Sequence, residues 1–245
     1  MNSWLETPYV SSTDSNYYTH YLYRGDSNVE DSSLGRNYSF YWSASGHVSL
    51  WLAYPLYGEW AESKVQRKDS YGSDPLIDPN QQASSGGYSK YTRGHQIPSA
   101  DRLSSRAMNN SVFYMTNITP QESSFNSGVW GTLEQRVRSW ADSSDEFYVV
   151  TGCLISDNGT TVTSNGLDIA VPTHYYKALL RKKGGSYTAC AYIYSHFNSN
   201  KSFSESDRIS IDALENQTGI DFFPNLIGVL GETEAARIES TATAF

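Results

Sequence analysis

Aromatic and β-branched residues gather in short runs along this chain, separated by clusters of Ser, Asn and Gly. Tyr38 to Trp42 and Val48 to Tyr54 are two such runs, and the Ser-Ala-Ser-Gly between them predicts a hairpin. Glu146 to Thr151, His174 to Leu180 and Tyr187 to Tyr194 read as three further strands, with Gly184-Gly185 at a hairpin tip. The period changes once. Trp130, Leu133, Val137 and Trp140 fall at i, i+3, i+7 and i+10, one apolar stripe of a helix running from Asn126 to Ala141. Asn126 stands where an N-cap would. Ser210 to Gln217 predicts a second, short helix, with Ser210 as its cap and Gly219 just past its end. Residues 1–36 are polar and irregular and read as an arm, docked on the core because they are rich in Tyr; 37–245 read as a single domain. Ser63 to Tyr88 is a long polar loop, a length that in compact domains is usually functional. The class is α+β, a central antiparallel or mixed sheet flanked by helices.

Composition narrows the function. At 245 residues the chain is long enough for one sizeable core. Apolar residues are 38% and charged residues only 18%, so Ser, Asn, Thr, Gly and the 19 Tyr must carry the polar surface. No apolar run approaches the ~18 residues of a membrane span, so no membrane partner is expected. The two cysteines, Cys153 and Cys190, are too few for a disulfide scaffold; they are one bridge or two buried thiols. The first ten residues lack a basic n-region and an apolar h-region, while the composition is that of a secreted protein. The expectation is therefore a secreted or periplasmic protein whose leader has been removed. The formal charge of −8 argues against a partner held by bulk positive charge. One local patch runs the other way: Lys90, Arg93, Arg102 and Arg106 lie close together with Asp101 alone to oppose them.

That patch contains Arg93-Gly94-His95, followed by Thr116-Asn117-Ile118-Thr119-Pro120-Gln121, then Phe125-Asn126-Ser127-Gly128-Val129-Trp130 and Leu133-Glu134. In this order and spacing the segments resemble the signature of the non-specific DNA/RNA endonucleases, the ββα-metal or His-Me finger nucleases related to endonuclease G. Val149-Val150-Thr151-Gly152, the run from Val171 to Lys177 and the run from Thr218 to Pro224 are similar to the family's later strands and C-terminal helix end, so the resemblance covers roughly residues 36 to 226. The chain departs from the signature once. Thr92 stands where the family has Asp before Arg-Gly-His. This puts the orientation of Arg93 and the reaction rate in question.

The resemblance implies a ββα-metal fold and hydrolysis of DNA and RNA phosphodiesters with little sequence preference. It assigns His95 as the general base; an imidazole that titrates near ~6.5 can take a proton from water. By itself a histidine on a strand is an ordinary interior residue. Asn126 would offer its amide oxygen to Mg²⁺ or Mn²⁺, a hard ligand for a hard ion, although alone it is simply a helix cap. Glu134 and Arg138 lie four apart on one helix face and can pair; the family uses the Glu near the metal and an Arg near the phosphate. Arg93 joins His95 and Glu134 as a catalytic residue, and Asn117 supports them by hydrogen bonds or serves a structural turn. Arg138 and, from the basic patch, Arg102 are the candidate substrate contacts. The family's upstream arginine has no clean match, although Arg67 and Lys68 lie nearby. Oligomeric state is open, with a homodimer admitted.

Two rivals stand beside this reading. Nineteen Tyr and six Trp on a Ser- and Asn-rich chain also suit a secreted, non-catalytic carbohydrate-binding module, which stacks sugars on exposed rings. A nuclease fold impaired by Thr92 lies between the two.

Overall fold

The computed structural model describes residues 4–25, 27–198 and 200–245. Its strands are β1 (Tyr17–Tyr21), β2 (Arg36–Ser43), β3 (Val48–Pro55), β4 (Thr92–His95), β5 (Ile118–Gln121), β6 (Glu146–Leu154), β7 (Thr161–Ser164), β8 (Leu167–Ala170), β9 (His174–Lys183) and β10 (Ser186–Ser195). Its helices are α1 (Gly58–Ala61), α2 (Arg106–Ser111), α3 (Ser123–Phe125), α4 (Gly131–Asp142), α5 (Ile211–Thr218), α6 (Ile227–Leu230) and α7 (Glu232–Glu239). Six strands form one antiparallel sheet in the order β1-β2-β3-β6-β9-β10. The Ser-Ala-Ser-Gly segment joins β2 to β3, and Gly184-Gly185 joins β9 to β10. From the segment before residue 37, β1 adds an edge strand to this sheet by pairing with β2.

The sheet is covered on both faces, so its middle strands are apolar on both sides. Phe147, Val149, Tyr175 and Leu179 pack against Trp130, Leu133, Val137 and Trp140 on one face. The neighbouring residues Val150, Tyr176, Ala178 and Leu180 pack against Ile211, Leu214, Ala235 and Ile238 on the other. The period-3.6 stripe therefore becomes the buried face of α4. Each such side chain contributes about 1.5–3 kcal/mol. Ser210 caps α5 by accepting from the Ala213 N–H, and Gly219 closes it in the left-handed region, φ 71°. Several elements go beyond the sequence expectation, among them α2, a second hairpin and a C-terminal helix. The β7–β8 hairpin turns on Asn165-Gly166, both at positive φ, and α7 packs Ala235 and Ile238 on the sheet. Cys153 and Cys190 are free and buried, which selects the second of the two expectations for them.

A buried histidine ties β1 to the long loop. His20 Nδ1 lies 2.6 Å from Glu30 Oε1, and Nε2 lies 2.9 Å from Asp74 Oδ2. Burial pushes the imidazole down, but the bonds to Asp74 and Glu30 outweigh it and raise it to about 9. His20 is thus cationic in the fold at neutral pH. A raised folded pKa gives stability that is complete below the unfolded value near ~6.5 and is lost as pH climbs through about 9. Urea midpoints measured across that window are expected to decline in the wild type, by on the order of 2–3 kcal/mol in total. In His20→Gln they should be flat over the same range; an equal decline in both proteins would detach this slope from His20.

Candidate active site

Strands β4 and β5 pair antiparallel, with Gly94 opposite Thr119 and His95 opposite Ile118. The Gln121 side chain lies across Gly94, where an added Cβ would sit only 2.2 Å from it, so any larger residue would push the two strands' partners apart. His95 ends β4 with its ring edge-on to Phe113 and Tyr71, at centroid distances of 4.8 and 5.8 Å. Its Nε2 is buried without a hydrogen-bond partner among the described residues. Burial, aided by the Arg67 charge, pushes the imidazole down to about 3. The ring is therefore neutral at neutral pH, with a lone pair to offer.

Asn117 secures the two residues after His95. Its backbone carbonyl accepts from the Gln96 N–H at 3.0 Å. Its side-chain oxygen accepts from the Ile97 N–H at 2.8 Å, and its amide donates to the Ile97 and Val112 carbonyls at 2.9 and 2.7 Å. It is completely buried. Asn117 is thus a positioning residue that faces away from any substrate.

The helical segment after β5 is not one regular helix. Helix α3 runs into a wide π turn over Asn126–Trp130, kinked at Gly128, and α4 follows. Asn126 has helical angles, φ −59° and ψ −45°, and caps nothing, which corrects the N-cap expectation. A Cβ at Gly131 would lie 2.9 Å from the Asn126 carbonyl oxygen, so the wide turn closes only because residue 131 is Gly. π turns of this kind re-aim side chains. Glu134, one turn into α4, does not pair with Arg138 as its spacing suggested. Arg138 instead bonds Asp101 Oδ1 at 2.9 Å, and the Tyr54 hydroxyl donates to Asp101 Oδ2 at 2.8 Å. Burial pushes the Glu134 carboxyl up, and the nearby Lys177 charge opposes this.

Five of the seven expected residues converge. Arg93, His95, Asn126, Glu134 and Arg138 line one pocket of about 220 Å³ together with Arg67, Pro98, Ser99 and Ala100. Arg67, left unassigned from sequence, comes from the long loop and crosses the Phe113 ring at 5.1 Å. Three guanidiniums thus face one carboxylate inside an acidic chain. The Thr92 hydroxyl donates to the Gln121 carbonyl at 3.0 Å. Arg93 is oriented without a carboxylate at position 92, because it donates to the Ser85 carbonyl at 2.8 Å and lies 3.8 Å over the Tyr71 ring.

Arg102 is the clear correction. It is 0% exposed and its guanidinium lies between the Tyr54 and Trp60 rings, at 4.9 and 4.8 Å. It donates to Asn37 Oδ1 and to the carbonyls of Asn37, Pro55 and Asp101. No substrate can reach it. The positive patch is built instead by Arg67, Arg93 and Arg138 from three separate segments.

The donor set tests the expected metal. Among the described residues no three His, Cys, Asp or Glu side chains form a cage. Asn126 lines the pocket and its amide has no hydrogen-bond partner among the described residues. One amide oxygen beside one carboxylate suits Mg²⁺, which keeps most of its waters and takes few protein ligands. The residues present fit that ion.

Comparison with known proteins finds relatives for the chain. Residues 12–227 match the family model described as DNA/RNA non-specific endonuclease. The chain is 29% identical over 211 residues to the mitochondrial nuclease EXOG of Danio rerio, covering 80% of this chain and 62% of that protein. It is 33% identical over 159 residues to nuclease C1 of Cunninghamella echinulata var. echinulata, covering 60% and 63%. Mitochondrial endonuclease G of Homo sapiens is 28% identical, covering 76% and 67%. The chain thus spans less than two thirds of the length of the first two. A crystal structure of the EndoG/EndoGI complex shares the fold, with a TM-score of 0.68 at 23% identity over 76% of this chain and 83% of that one. Among the described residues no helix is long and apolar enough to cross a membrane.

Proposed function

Because this chain belongs to the DNA/RNA non-specific endonuclease family, we propose that it hydrolyses phosphodiester bonds of DNA and RNA with little sequence preference, with His95 as general base. One observation carries the reading: the Nε2 of a neutral imidazole and an amide oxygen, both without hydrogen-bond partners among the described residues, meet three guanidiniums in one small pocket. His95 accepts a proton from the attacking water as the new P–O bond forms; the P–O3′ bond breaks and the departing O3′ takes a proton from solvent. Arg67, Arg93 and Arg138 offer planar donors to phosphate oxygens, and contact with phosphates rather than base edges leaves sequence unread. Asn126 and Glu134 would hold Mg²⁺ or Mn²⁺, which supplies Lewis-acid charge at the phosphate. Asp101 and Tyr54 fix Arg138, and Tyr71 and the Ser85 carbonyl fix Arg93. A secreted or periplasmic place of action belongs to the same proposal.

The deciding experiment is nicking of supercoiled plasmid and cleavage of RNA, with Mg²⁺ and with EDTA. Cleavage of both is expected with Mg²⁺ and none with EDTA. Asn126→Ala should fall to the EDTA baseline, a loss of 10²-fold or more (about 3 kcal/mol of transition-state stabilisation), while its thermal midpoint stays near wild type. Vigorous cleavage by that variant would remove the metal assignment. An intact plasmid in every arm would favour the binding-module reading or a fold disabled at Thr92.

A further inference from the structure

A buried histidine sits beside the segment that carries Asn126. His196 follows β10 directly and is 1% exposed. Its backbone N–H donates to the Thr173 carbonyl at 2.9 Å, and its Nδ1 lies 2.7 Å from the Pro172 carbonyl oxygen. Its Nε2 lies 2.7 Å from the backbone nitrogen of Glu122. These two partners fix the tautomer. A carbonyl only accepts, so Nδ1 carries the proton; a backbone N–H only donates, so Nε2 presents its lone pair. An apolar side chain of similar size would leave both backbone groups unpaired. Glu122 is where the helical segment starts. Its own side chain makes no capping bond, and its carbonyl accepts from the Asn126 N–H at 2.9 Å. Asn126 thus stands one helical turn beyond the pinned amide. Between them Phe125 is buried, its ring edge-on to His196 at 5.4 Å and packed on Tyr175 and Trp130 at 5.2 and 5.6 Å. Helix α3 is a single turn, and the π turn after it is kinked at Gly128. So short a helix does not hold its own direction and takes it from whatever grips its start.

We propose that His196 is a positioning residue for the reaction: by accepting the Glu122 N–H and packing on Phe125 it anchors the start of the helical segment to the end of β10, and so sets where the Asn126 amide enters the pocket. The inference rests on the nuclease reading above. His196 is not among the described residues that line the pocket, so it acts through Asn126. The three guanidiniums are held from elsewhere. Arg67 comes from the long loop, Arg93 from β4, and Arg138 is fixed by Asp101. Loss of the anchor therefore slows turnover and leaves substrate affinity alone.

Three variants separate anchoring from simple packing. In His196→Gln the amide oxygen can reach the place of Nε2 and take the Glu122 N–H. In His196→Asn the shorter side chain keeps a donor for the Pro172 carbonyl and loses that acceptor. His196→Leu keeps neither. In ¹⁵N-labelled protein in metal-free buffer, the Asn126 side-chain amide resonances are expected at their wild-type positions in His196→Gln and displaced in the other two. Resonances unmoved in all three, or displaced equally in all three, overturn the proposal. This reading needs neither metal nor catalysis, so it stands or falls apart from the nuclease assignment, which the wild-type plasmid assay decides alone. In cleavage kinetics with Mg²⁺, His196→Asn and His196→Leu are expected to lower kcat by about tenfold or more with KM for DNA within about twofold, while His196→Gln stays within about threefold of wild type. Wild-type kcat in folded His196→Asn, a loss in His196→Gln as large as in His196→Leu, or a KM change as large as the kcat change would each overturn it. Should His196→Leu fail to fold, the contrast between His196→Gln and His196→Asn decides both measurements.

Discussion

Replacing His95 by Ala is expected to slow plasmid cleavage by about 10²–10⁴-fold while the chain stays folded. The argument starts from the ring's surroundings. Phe113 and Tyr71 pack against it edge-on, which fixes its plane but offers no hydrogen bond to Nε2. Burial keeps it neutral, so the proton acceptor is ready at working pH and is not in competition with solvent. Truncation removes that acceptor and leaves the three arginines and Asn126 in place, so DNA should still bind. The same burial has a thermodynamic signature. A folded pKa of about 3, below the unfolded value near ~6.5, means that the unfolded chain takes up a proton first as pH falls. Wild-type stability should therefore decline from pH 6.5 toward 3 through this group, and His95→Ala should lack that part of the slope. Cleavage rates under single-turnover conditions check the first claim and urea midpoints the second. A rate within threefold of wild type would take the general-base role away from His95.

Arg102→Ala is expected to destabilise the chain by about 3–5 kcal/mol and to leave the KM of the remaining folded protein near wild type. Four hydrogen bonds end on carbonyls and an amide oxygen that no water can reach. Removing the guanidinium strands those acceptors and opens a cavity between Tyr54 and Trp60. Arg102→Lys should recover little, because an ammonium cannot serve four acceptors spread around a planar fork. Urea denaturation with cleavage kinetics on the folded fraction separates the two roles. Wild-type stability with a raised KM would return Arg102 to the substrate surface.

The contrast between these two residues shows where sequence reading succeeds. His95 was legible because its neighbours along the chain carry the signal: Arg-Gly-His on a strand, then Asn117 and Asn126 at fixed intervals. Arg102 sits in the same run of basic residues, and charge density alone could not say that its side chain turns inward to Asn37 and Pro55. Helix spacing at i and i+4 points to Arg138 as the partner of Glu134. Asp101, thirty-seven positions earlier, wins it because the loop after β4 folds against α4. The β7–β8 hairpin was within reach, since Asn165-Gly166 between two short alternating runs is a hairpin signal.

By itself the amino-acid sequence determined the hairpin of β2 and β3, the later sheet strands, the buried stripe of α4, the cap of α5 and the motif residues His95, Asn126 and Glu134. The elements are set by periodicity over a few to a few dozen residues, which local backbone geometry converts directly into position, whereas the motif residues are marked by the resemblance of their segments to the family signature. Only the tertiary structure decided that Arg67 reaches the pocket, that Arg102 is interior, that His20 joins β1 to the long loop and that the Lys177 ammonium is buried beside the Trp130 ring. Those outcomes depend on which distant segments exclude water from one another, and a charged side chain carries no local mark of whether it will face solvent or a ring of carbonyls.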